Sequence, residues 1–411
     1  MVIQIALDQT LLAHNHTKGL GSKCKDRREK GAWADCMTLF ESTIFELNRT
    51  LNPTKKNCNE FDKQTWLSTA LTNLETCIAG FKPYISNNVT KLISNSLAMH
   101  NNIVPRIQSY KLGFPTWVTR RDRKLLQASK LATANLVVAQ DGSGDFKIIR
   151  EALDATAKKT RSGRFVIHIK SGVYAEYLVI GTNLRNIMLV GDGMQSTIIT
   201  GDRSYGNGFT IFNSATVAVM GDGFIARGIT FRNTAGPQNK QAVALRVGSD
   251  HSVFHQCSFE GYQDTLFAHS QRQFYRECNI YAQGRTDPNQ NTGIIIQYSR
   301  ITASPDLKPV IASFLGRPWE QYSRTVVVES FIDSLISPVG WLQWDGNFAL
   351  DTLFYAEYNN FGPGSLTSKR VKWKGYKIIT NVDQISQFFV GNFIGGESWI
   401  PDASVPFTYG I

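Results

Sequence analysis

No apolar run in this chain of 411 residues approaches the roughly eighteen uninterrupted residues that a bilayer crossing requires, which excludes an integral helical membrane protein. Cysteine is scarce. Six are present and none has CxxC spacing, so neither a disulfide-built scaffold nor a zinc site is expected. The opening MVIQIALDQTLL has no basic lead, and Asp8 and Gln9 interrupt its apolar stretch, so it does not form a signal peptide. The expectation is an intracellular protein or a chain that starts late. No acidic cluster with calcium-ligand character is present either, and no metal is expected.

What is present supports two globular domains, since 42% hydrophobic and 11% aromatic content over this length can bury two cores. The net charge of +11 points to an acidic partner until its distribution is read. Residues 1–134 hold 19 Lys and Arg against 10 Asp and Glu, whereas 135–411 hold 25 against 23. The excess is amino-terminal. Its densest part is a basic linker over 101–134, with Arg120, Arg121, Arg123 and Lys124 at its tightest point. Without interleaved aromatics on a folded face, this reads as a solvated linker or a protease-readable site, and no nucleic-acid partner is expected.

Within 1–100 the apolar residues recur at helical spacing, as Phe40, Ile44, Leu47 and Leu51 and then Leu67, Leu71, Leu74, Ile78 and Phe81. A short polar connection around Pro53 makes these helices antiparallel neighbours in a small all-α bundle. Cys36 near the start of one and Cys77 near the end of the next would then meet, so a disulfide between them is expected. Sequons stand at Asn15, Asn48 and Asn88, a weak signal that fits a secreted chain.

Beyond the linker, the texture changes to short β-rich runs punctuated by Gly, Asn and Asp. GITFRN, QCSFEG, ECNIYA and SRITAS align on Phe231, Phe259, Ile280 and Ile301, at steps of 28, 21 and 21 residues. A self-similar unit of that length predicts a right-handed parallel β-helix over 135–411, an all-β domain of stacked coils. Cys257 and Cys278 would occupy equivalent rungs, as an internal ladder or a disulfide. Such a domain exposes a long shallow groove suited to a polysaccharide. Trp faces would stack on its sugar rings, and the amides, carboxylates and Arg point to a sugar acid or its ester.

The chain resembles the plant pectin methylesterases through GVYAEY (172–177), GDGFIARGITFRNTAGP (221–237), QAVALR (241–246), YQDTL (262–266), AQGRTDPNQNTG (282–293), LGRPW (315–319) and GNFALDTL (346–353). PGSLTSKRVKW and WIPDASVPF extend the likeness to nearly all of 135–411. The amino-terminal CMTLFESTIFELNRTLNP and TWLSTALTNLETCIAGF resemble the family's inhibitor-type helical pro-region, and RKLL (123–126) matches its processing site. The resemblance implies hydrolysis of galacturonate methyl esters in pectin without a cofactor, a secreted cell-wall enzyme, and a proteinaceous pectinesterase inhibitor as a possible partner. It further implies that a signal peptide and the first part of the pro-region precede Met1.

Carried over residue by residue, the family pattern makes Gln241 and Gln263 the amides that stabilise the tetrahedral oxyanion, and Asp264 the general acid and base. Arg317 holds the nucleophilic carboxylate, and Trp319 and Trp341 wall the sugar subsites. The nucleophile itself is missing. Its Gly-x-Val-Asp-Phe-Ile-Phe-Gly motif should follow RECNIY, yet here Tyr281 runs straight into AQGRTDP, so about one coil is absent after Tyr281. Asp287 does not replace it, because the family has an Asp there as well. Two rival readings follow: a pectin-binding homologue without catalysis, and an interaction protein working through its inhibitor-like helices.

Overall fold

The computed structural model describes residues 1–53, 58, 60–81, 87–100, 134–158, 163–276, 278, 293–302, 313–318, 320–396 and 399–400. The basic linker and the junction at Tyr281 lie outside them. Four helices build the amino-terminal region: α1 (Val2–Lys18), α2 (Arg27–Leu51), α3 (Glu60–Gly80) and α4 (Asn87–His100). Helix α2 begins well before the apolar periodicity does, because Asp26 caps it by accepting the Glu29 N–H at 2.8 Å. Phe40, Leu47, Leu67, Leu71 and Leu74 fill the core, joined by Ala6 and Leu7 of α1. The opening residues are thus an amphipathic helix with Ala6 and Leu7 on its buried face. Cys36 and Cys77 form the expected disulfide, with their Cα atoms 4.7 Å apart.

From Leu136 onward, every registered strand pair is parallel. The first block of coils stacks in three sheets, and the expected pairing of Phe231 with Phe259 is one of its rungs. The second block begins at Ile294, with Ile294 opposite Thr325 and Arg324 opposite Phe354. Ile301 pairs forward with Ile332. Interior side chains of successive coils stack on one another: Phe231 on Phe259 at 5.8 Å between centroids, and Phe254 on Tyr275 at 4.8 Å. Cys257 and Cys278 are buried thiols at equivalent rungs, a ladder rather than a disulfide.

Coils turn by placing single residues in the left-handed region. Gly228 and Gln256 do so after strands of one sheet in the first block, and Tyr298, Glu329 and Asn359 after strands of one sheet in the second, with φ between +45° and +65°. Asn, Gln and Gly at such corners follow from the αL conformation, which costs a bulky or branched side chain more.

The helical region packs directly on the first block. Phe212 joins the helical core and Phe267 packs against it. Arg272 bridges the two regions, donating to Asp250 at 2.9 and 2.7 Å and to Asp62 of α3 at 2.8 Å. Around this contact, burial pushes the Asp35 carboxyl up to about 6 and that of Glu46 up to about 8, in the second case despite the Arg49 guanidinium beside it.

Candidate active site

Gln241 and Gln263 lie on adjacent coils, tied by a backbone bond from the Ala242 N–H to the Gln263 carbonyl at 3.0 Å. The register that continues this contact sets Leu245 opposite Leu266. Asp264 sits at the corner before that strand with φ +57°, a conformation Asp tolerates. None of the three side chains is hydrogen-bonded to a described residue, and both amides are only half-buried. Their hydrogen-bonding capacity is therefore unspent and available to a substrate.

Asp264 counts as exposed, yet its carboxyl lies among enough protein atoms that desolvation pushes its pKa up, while the positive charge of Arg317 pulls it back. Burial prevails. A carboxyl held above the usual range retains its proton more readily, which suits a group that must protonate a leaving alkoxide. Arg317 comes from the second block and makes no ion pair within 4 Å of a described carboxylate. Its guanidinium lies 4.2 Å from the centre of the Trp344 ring. The loop carrying Trp344 is stitched to the Arg317 segment, since the Leu315 N–H reaches the Gly340 carbonyl at 2.8 Å and the Leu342 N–H reaches that of Gly316 at 3.0 Å.

Trp341 does not wall a subsite as expected. Its ring is 1% exposed, packs on Tyr355 at 4.3 Å, and donates its indole N–H to Glu357 at 3.0 Å. Glu357 is the reason. This buried carboxylate also accepts from Tyr376 at 2.9 Å and from Arg370 at 2.9 and 3.0 Å, so the indole turns inward to complete its shell. Trp344, three residues on in WLQWDG, supplies the half-exposed ring instead, and the pair of tryptophans was the sequence signal for it. Trp319 lies outside the described residues. Among the described residues, no group of His, Cys, Asp and Glu is arranged to hold a metal ion, and no helix is long and apolar enough to cross a membrane.

The Pectinesterase family model matches residues 135–282 and 279–397, and the Plant invertase/pectin methylesterase inhibitor model matches 1–99. The chain belongs to the pectinesterase family. It is similar to Pectinesterase 2 of Citrus sinensis, with 55% identity over 453 aligned positions covering 100% of this chain and 88% of the relative. Since only 411 of those positions can hold a residue of this chain, 42 are left without one. Probable pectinesterase/pectinesterase inhibitor 17 of Arabidopsis thaliana is 53% identical, covering 100% and 87%. The solved pectin methylesterase from carrot superposes with a TM-score of 0.65 at 49% identity, covering 69% of this chain and 100% of that one. This pectinesterase is a carboxylic ester hydrolase with a parallel β-helix, and its match to the family model breaks at 279–282, beside Tyr281.

Proposed function

We propose that this pectinesterase binds methyl-esterified homogalacturonan across the corner formed by Gln241, Gln263 and Asp264, with Arg317 facing it from the second block. The observation that carries the reading is the cluster of unspent side chains: two amides and a raised carboxyl on adjacent coils, under the charge of an unpaired arginine. In this chemistry a carboxylate attacks the ester carbonyl, and the two amides donate to the oxyanion that forms. Asp264 gives its proton to the departing methanol. It then takes a proton from the water that attacks the acyl-enzyme, releasing free galacturonate and restoring both carboxyl groups.

The attacking carboxylate belongs to the coil absent after Tyr281. The break in the family match at 279–282 supports that placement, as do the aligned positions with no residue here. Arg317 consequently has no nucleophile to orient, and the chain turns over slowly by itself. Secretion to the cell wall and glycosylation at Asn15, Asn48 and Asn88 accompany this reading. Sequencing the transcript across codons 275–290 tests it. An exon encoding the Asp motif, in a product that reaches the wall and releases methanol, is the expected result. A transcript without that exon whose product is fully active would overturn the placement of the nucleophile.

A further inference from the structure

Beside Gln241 lies a second constellation that the esterase chemistry does not use. The Tyr205 N–H donates to the Gln241 carbonyl at 2.8 Å, so the Tyr205 segment and the catalytic corner form one continuous surface. Over the Tyr205 ring stand the Arg28 guanidinium at 4.0 Å and the Lys240 ammonium at 6.0 Å. Over Phe209 stand Arg27 at 4.0 Å and Arg203 at 5.0 Å. Arg203 also lies 3.7 Å from the Tyr177 ring, between two aromatic faces. Two of these cations come from the start of α2 and two from the first block, so the shelf is shared between the regions.

Interface packing alone does not account for it. Arg27, Arg203 and Lys240 have no carboxylate within ion-pair distance and no hydrogen-bond acceptor among the described residues. Arg28 spends one donor on the Tyr205 carbonyl at 2.7 Å, but its Nε is buried without a partner. Asp202, next to Arg203 in the chain, is engaged by the Tyr177 hydroxyl at 2.6 Å. A guanidinium stacked by its face keeps its N–H edge available, and stacking fixes its plane, which suits forked recognition of a carboxylate. Four cations with unspent donors therefore border a groove that turns neutral esters into anions.

We propose that this shelf binds the free carboxylates of de-esterified uronate units, holding the product end of the polymer while the catalytic corner faces a still-esterified unit. The proposal rests on the reading of the groove as a pectin site. Because Arg27 and Arg28 belong to the helical region, the intact chain holds de-esterified polymer more tightly than a chain cleaved in the linker.

Titration of the full chain with a de-esterified oligogalacturonate and with its fully methyl-esterified counterpart, at low and moderate salt, tests this. Arg203→Ala and Lys240→Ala should each weaken de-esterified binding about threefold to tenfold and leave esterified binding unchanged, because only the anion meets their donors. Arg203→Lys, which keeps the charge and loses the fork, should fall between. Arg27→Ala with Arg28→Ala should also flatten the salt dependence. Equal weakening toward both oligomers, no change, or tighter binding on loss of Arg27 and Arg28 would overturn the proposal. Failure of the unaltered chain to bind either oligomer would instead bring down the pectin reading, and the shelf with it.

Discussion

The two blocks of the β-helix differ in what they contribute. The first, up to Arg276, has three sheets, an aromatic interior and a helical cover, and it carries Gln241, Gln263 and Asp264. The second, from Ile294, is built around the buried Glu357 shell, and it carries Arg317 and Trp344. On the proposed reading neither block contains a complete site, and catalysis depends on the register between them. Because coils contact chiefly their neighbours, each block can keep its own packing when one coil between them is absent.

Changes confined to one block should therefore leave the other intact. Glu357→Ala should have the largest effect on stability, about 3–5 kcal/mol, because it strands Arg370 as a buried unpaired charge and orphans the Trp341 and Tyr376 donors. Residues 135–318 contain no tryptophan, but Trp399 packs on His251 and Val253 of the first block, so in a chain carrying Trp399→Phe the tryptophan emission during urea unfolding reports the second block and the helical region. An early emission transition, with the circular dichroism of the first block retained, is the expected pattern. Unfolding in one step would merge the blocks into a single cooperative unit.

Replacing both Cys36 and Cys77 with Ala should cost about 2–4 kcal/mol in the helical region, since their bond closes a loop with a sequence separation of 41. Differential scanning calorimetry should show the helical transition moving down while the β-helix transition stays in place.

A smaller effect concerns the contact between the helices and the first block. Asp35 and Glu46 bind protons more tightly in the folded contact than in the unfolded chain, with carboxyls near 6 and 8. Between the ordinary carboxylate range and those values the native state holds more protons, so stability falls as pH rises from about 4 to 8. Glu46→Gln should flatten the upper part of that decline, read as melting temperature against pH. An unchanged slope would show that Glu46 ionises without consequence for the contact.

Much of this was legible in the residues. The step from Phe231 to Phe259 fixed a rung of the β-helix, because interior positions of stacked coils must repeat. The spacing of Cys36 and Cys77 on two apolar helical faces anticipated their bond. Trp341 was misassigned because its environment is made by Glu357, Arg370 and Tyr376, which come from later coils and leave no local pattern. Helix α1 was passed over because its apolar face is narrow, with only Ala6, Leu7, Thr10 and Thr17 buried. The shelf around Tyr205 was invisible for a similar reason: Arg27 and Arg28 reach Phe209 and Tyr205 only once the helical region docks.

The central claim is that one carboxylate, carried by one absent coil, separates this chain from an active esterase. Methanol release from highly methyl-esterified pectin tests it most directly, comparing the chain as written with a chain that has an Asp-bearing coil inserted between Tyr281 and Ala282, and with the same insertion carrying Ala in place of that Asp. The insertion should raise the rate by about a thousandfold or more, and its Ala version should return to the starting level, as expected when one member of a catalytic unit is removed. Equal rates for all three would contradict the account and would make Asp264, under the charge of Arg317, the attacking group.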